Sequence, residues 1–123
     1  MITRYHALEL EVPEQGGLVR FQYKIPELSG VLTGIAPLVM GVLPRGSRGQ
    51  RTGTLTLEAL DRKIHLATLP VFCPGLVSTR QEFYPLEEDM TRGQLVNGSY
   101  LDSLTTGIDF TPYRLKVLFR VRI

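Results

Sequence analysis

The stretch Tyr113-Arg114-Leu115-Lys116-Val117-Leu118-Phe119-Arg120-Val121-Arg122-Ile123 decides the fold. Tyr113, Leu115, Val117, Phe119, Val121 and Ile123 occupy the odd positions, while Arg114, Lys116, Leu118, Arg120 and Arg122 occupy the even ones. Successive side chains of an extended backbone point to opposite faces, so this spacing predicts a strand with one dry and one wet face. Helical spacing would scatter the same cations around an axis.

The pattern recurs upstream. Over Leu18–Ile25, Val19, Phe21, Tyr23 and Ile25 alternate with Arg20, Gln22 and Lys24. Leu8, Leu10 and Val12 alternate with Ala7, Glu9 and Glu11. Pro13 ends that strand, and Glu14-Gln15-Gly16-Gly17 turns the chain into the next one. Val31–Leu43 is apolar at successive positions, as expected of a strand covered on both faces or of two short strands broken near Pro37. Thr52–Leu60 and Lys63–Val71 read as a hairpin closing at Asp61-Arg62. Leu55, Leu57 and Ala59 lie on its dry face, and Ile64 and Leu66 continue that face.

From Pro74 to Thr111 the pattern is faint. Ser78-Thr79-Arg80-Gln81-Glu82 has capping-box spacing, enough for one helical turn before Pro85. Asn97-Gly98, inside Leu95–Leu101, predicts a tight hairpin turn. The result is seven or eight strands and no long helix. This is an all-β chain, a single antiparallel β-sandwich of jelly-roll type spanning 1–123, with a small barrel as the alternative. Without crossover helices, parallel α/β folds are excluded.

Composition agrees. The 123 residues are 43% hydrophobic and 21% charged, as in ordinary globular domains. The 12 glycines and 8 prolines are spread along the chain, which suits short strands and turns. A net charge of +2 is far from that of a dedicated nucleic-acid binder. The lone Cys73 rules out an intrachain disulfide. Polar residues near Met1 do not form a signal peptide, and the apolar run 31–43 is shorter than the ~20 residues a membrane helix needs. A cytoplasmic protein or one built into an assembled particle is expected.

Catalytic, metal and cofactor signatures are not found in the sequence. His6 and His65 lack partners at ligand spacing, and a Cys73–His65 nucleophile pair is disfavoured by the polar side His65 occupies and the apolar flank of Cys73. No nucleophile elbow, phosphate loop or dinucleotide fingerprint is present. Two charged segments are the candidates for partner contact. Arg45, Arg48 and Arg51, separated by glycines, form a basic loop suited to an acidic surface or phosphate. Glu87, Glu88 and Asp89 form an acidic run, expected in a loop, without the alternation of a calcium site. The cations Arg114, Lys116, Arg120 and Arg122 are better matched by Glu9 and Glu11 across a strand pair than by nucleic acid, the less favoured partner.

These features favour a non-enzymatic structural or assembly protein, a small β-sandwich subunit of a homo- or hetero-oligomer such as a minor virion component of capsid or tail. Strands running to both ends of the chain and long charged loops at 44–51 and 85–94 support that expectation. It is an analogy at the level of fold. The alternative is a small ligand- or carbohydrate-binding β module, to which the absence of Trp and the scattered positions of Tyr5, Tyr84, Tyr100 and Phe110 lend little.

Overall fold

A computed structural model describes residues 2–25, 30–40, 51–59, 64–72, 83–89, 94–103 and 110–123. Among the described residues are eight strands: β1 (Thr3–Val12), β2 (Leu18–Ile25), β3 (Val31–Met40), β4 (Arg51–Ala59), β5 (Ile64–Phe72), β6 (Tyr84–Asp89), β7 (Gln94–Asp102) and β8 (Tyr113–Arg122). Two four-stranded antiparallel sheets pack face to face, in the orders β1-β8-β3-β6 and β2-β7-β4-β5. Each sheet has two open edges, so the barrel alternative does not hold.

The strand order has a simple origin. β1 pairs with β8, β2 with β7, β3 with β6 and β4 with β5. The chain is therefore one long hairpin folded at the β4–β5 connection. Additional pairing of β8 with β3 and of β7 with β4 wraps this hairpin into two sheets, which is a jelly roll. Val12, Leu18, Met40, Arg51, Phe72, Asp102 and Tyr113 lie at one end of the strands, here the Gly16 end. Ile25, Val31, Ala59, Ile64, Asp89, Gln94 and Arg122 lie at the other, the Gly30 end.

Alternation built this core as expected. Tyr113, Leu115, Val117, Phe119 and Val121 of β8 are all buried, facing Leu55, Leu57 and Ala59 of β4 and Phe21 and Ile25 of β2. Phe119 stacks on Tyr23 of the opposite sheet, the ring centroids 5.4 Å apart and the planes 4° from parallel. β3 continues through Pro37 without a break, because pairing to β6 ends at Ile35–Tyr84 and a missing N–H beyond that point costs no ladder bond on that side. A register shift in the β4–β5 pair between Leu57 and Glu58 brings both Leu66 and Ala67 into the core, where strict alternation would expose one of them.

Pro13 ends β1 as read, and Gly17 N–H donates to Glu14 O (3.1 Å) with Gly16 at φ +70° in the third turn position. The turn does not make a hairpin: β1 and β2 belong to different sheets.

The Asn97-Gly98 expectation is overturned. Both residues lie inside the continuous strand β7, where Gly98 pairs with Phe21 on one side and Leu57 on the other. Glycine is there for space rather than for a turn. A Cβ at Gly98 would stand 2.3 Å from Phe21 Cζ and 2.7 Å from Leu57 Cδ2. The capping box at 78–82 lies outside the described residues.

Candidate functional site: two charged surfaces and a buried hydroxyl cluster

Of the two segments expected to contact partners, the described residues lie apart. Arg51 opens β4 at the Gly16 end, whereas Glu87, Glu88 and Asp89 close β6 at the Gly30 end. A strand of this length separates them by roughly 30 Å. Arg51 and the acidic run do not form one site. Arg45 and Arg48 lie outside the described residues. Arg51 is the first residue of a strand rather than part of a loop, and its guanidinium folds back along that strand to Gly53 O (3.4 Å) and Thr54 Oγ1.

The acidic run is likewise a strand and not a loop, which corrects the reading of 85–94 as one long connection. Glu88 pairs with Leu32 and Asp89 with Val31, so backbone pairing to β3 orders a segment that its charge alone marks as solvated. Glu87 reaches the outer face of the sheet and accepts a bond from Arg122 Nη2 at 3.3 Å.

Internal matching of the basic face on β8 is visible in the register. Glu9 lies opposite Lys116 and Glu11 opposite Arg114, in adjoining strands and on the same face. Arg120 is held differently: Nε and Nη2 donate to Thr33 Oγ1 and Thr33 O, both at 3.1 Å, and the guanidinium carbon sits 4.7 Å from the centroid of Phe83. Tyr5 packs against the same Phe83 ring at 5.9 Å.

His65 is exposed and shares a bond with Thr68 Oγ1 at 3.2 Å; Cys73 lies outside the described residues. Among the described residues no group of three or more His, Cys, Asp and Glu could hold a metal ion, and no helix is long and apolar enough to cross a membrane.

A group of residues not singled out from the sequence forms a buried polar cluster at the Gly16 end. Thr52, Tyr100, Asp102 and Tyr113 are between 0% and 3% exposed. Thr52 Oγ1 donates to Val71 O at 3.1 Å, and Tyr100 donates to Thr52 Oγ1 at 3.0 Å. The Tyr100 and Tyr113 hydroxyls are 2.7 Å apart, and the Tyr113 hydroxyl is bonded to Asp102 Oδ1. Asp102 Oδ2 accepts from Gly16 N–H at 2.8 Å, and Asp102 N–H donates to Gly17 O at 3.0 Å. The cluster thus fastens β4, β5, β7 and β8 to the turn that crosses between the sheets.

Desolvation, reinforced by the bonds to Asp102 and Tyr100, holds Tyr113 well above the ordinary tyrosine range. Desolvation also raises Tyr100, against the lowering effect of its bonds to Thr52 and Tyr113. Both phenols are neutral near pH 7. What signal could have revealed the cluster? A strand reading of 94–102 places Tyr100 and Asp102 on the face of Val96 and Gly98, which is the dry one. The turn assigned to Asn97-Gly98 hid that face.

Fold and cluster together define a class: an eight-stranded jelly-roll sandwich with a self-contained polar anchor at one end. No family model and no curated protein matches the chain. A solved structure to which it is similar is the VP2 subviral particle of infectious bursal disease virus, at 14% identity and a TM-score of 0.43, over 97% of this chain and 33% of that one. The chain spans about a third of the length of that protein.

Proposed function

We propose that this chain is a non-enzymatic structural subunit, a small β-sandwich that contributes to a larger protein assembly such as the capsid or tail of a virion. The observation that carries this reading is a contrast between interior and surface. The residues richest in chemistry, Thr52, Tyr100, Asp102 and Tyr113, are buried and bonded to one another, with no open face for a substrate. Large apolar side chains meanwhile stand in solvent at the same end. Leu18 and Leu101 are register partners on the outer face of their sheet, 50% and 47% exposed, and Phe72 on β5 is 55% exposed. Apolar groups gathered in this way are what a protein–protein contact covers.

The described residues Met40 and Arg51, which flank Arg45 and Arg48 in the sequence, lie at that same end.

Light scattering on the purified protein, over a range of concentrations, tests the proposal. A discrete oligomer whose mass falls in Arg48→Glu or Leu101→Asp, with the thermal midpoint unchanged, is the expected result. A monomer at every concentration would remove the basis of the reading.

A further inference from the structure

The two lateral sides of the sandwich end differently. On one side lie the edge strands β5 and β6, on the other β1 and β2. β5 carries Pro70; β6 is six residues long, carries Pro85 and sets Glu88 opposite the buried Leu32. Short length, proline and an inward charge all hinder an edge from pairing with another chain. β1 and β2, of ten and eight residues, contain no proline. Among the described residues no strand pairs with their outer edges.

The β1–β2 side also leaves an apolar seam open. Leu8 of β1 and Val19 and Tyr23 of β2 pack against the core but are only partly buried. On the outer faces of the sheets the charges are opposite. β1 presents Glu9 and Glu11 there and no cation, since Arg4 lies on its other face; β2 presents Arg20 and Lys24 and no acid.

We propose, on the footing that the chain is a structural subunit, that this side is the interface between two copies of it. A two-fold axis parallel to the strands pairs β1 of each copy with β2 of the other. Because β1 runs toward the Gly16 end and β2 away from it, the pairing is antiparallel. Each sheet continues into the opposite sheet of the second copy, which gives two eight-stranded sheets and closes the apolar seams against each other. Such an axis keeps every residue at its own height along the strands. Arg20, near the Gly16 end of β2, therefore meets the Gly16 half of β1, and an offset of one residue decides only whether Glu9 or Glu11 faces it. Opposite charges across a strand pair stabilise it and fix its register. The other closed arrangement, with the axis normal to the sheets, sets β1 on β1 and β2 on β2. No register of that kind brings an outer-face cation to Glu9 or Glu11, or an acid to Arg20 or Lys24.

Sedimentation velocity on four proteins tests the interface: wild type, Arg20→Glu with Lys24→Glu, Glu9→Lys with Glu11→Lys, and the chain with all four changes. The wild type is expected to dimerise, each reversal to weaken dimerisation about tenfold or more, and the four changes together to restore it. Contacts of β1 on β1 and β2 on β2 would be indifferent to each reversal, since like charges replace like. Reversals without effect on a wild-type oligomer, or four changes that fail to restore it, overturn this interface and leave the structural-subunit reading standing. A wild type that is monomeric at every concentration overturns both. Arg20 and Lys24 lie opposite Ser99 and Leu95, so reversing them breaks no cross-strand charge pair, and that variant decides should the β1 reversal not fold.

Discussion

β8 and β7 occupy equivalent places, each flanked by two strands of its sheet and each with one face on the core. The inner face of β8 is Tyr113, Leu115, Val117, Phe119 and Val121; that of β7 includes Val96, Gly98, Tyr100 and Asp102. Position in the sheet buries both sets equally. What differs is how the space is filled. β8 fills it with its own side chains, so its pattern is plain in the sequence. At Gly98, β7 leaves a gap that Phe21 of β2 and Leu57 of β4 occupy, and at Asp102 it inserts a polar group made tolerable by Gly16, Tyr113 and the hydroxyl series. A strand whose interior is completed by its neighbours is buried without looking so.

The comparison can be broken most forcefully on β8. Phe119→Asp places an unpaired charge at a position with no exposure. The penalty is several kcal/mol against a total stability of about 5–15 kcal/mol, so the chain should lose its cooperative urea transition and its strand signal in circular dichroism. A folded Phe119→Asp protein would show that β8 is not the core strand described.

On β7 the informative change adds volume. In Gly98→Val the side chain must displace Phe21 and Leu57, costing about 1–3 kcal/mol or more. Phe21→Leu in the same chain should recover part of that loss, because the two positions compete for one space. A destabilisation that Phe21→Leu does not relieve would separate Gly98 from the packing proposed for it.

Tyr113→Phe sharpens the contrast between dry and polar interiors. Removing the hydroxyl leaves Asp102 and Tyr100 short of a partner, at about 1–3 kcal/mol in urea unfolding. Tyr113 is raised above its ordinary value of about 10, so the stability tied to its neutral form is complete below that pH and lost as the pH rises above it. The wild type should therefore lose stability above about pH 10 more steeply than Tyr113→Phe. The smallest effect belongs to the surface: Glu87→Ala removes an ion pair whose side chains are 75% and 38% exposed, and the expected change is under about 1 kcal/mol and absent at high salt.

The legibility of the fold followed the same division. β1, β2, β4 and β8 could be read because each carries large apolar side chains at every second position. The pairing of Glu9 with Lys116 and of Glu11 with Arg114 was also legible, since complementary charges on two strands suggest a shared face. β6 was not, because Tyr84-Pro85-Leu86-Glu87-Glu88-Asp89 has neither apolar alternation nor strand-forming composition and is ordered by its bonds to β3. The buried cluster was concealed for a related reason: Thr52, Tyr100, Asp102 and Tyr113 are distant in sequence, and nothing local marks them as one group.

Alternating side chains, determined residue by residue, settled that this protein is built from strands with one face dry. Which strands would be neighbours, which polar groups would be enclosed, and that Arg51 and Asp89 would stand at opposite ends were decided only when β8 paired with β3 and β7 with β4. Local periodicity depends on backbone geometry and is written along the chain, whereas the partners of a buried hydroxyl are chosen by contacts between residues far apart in it.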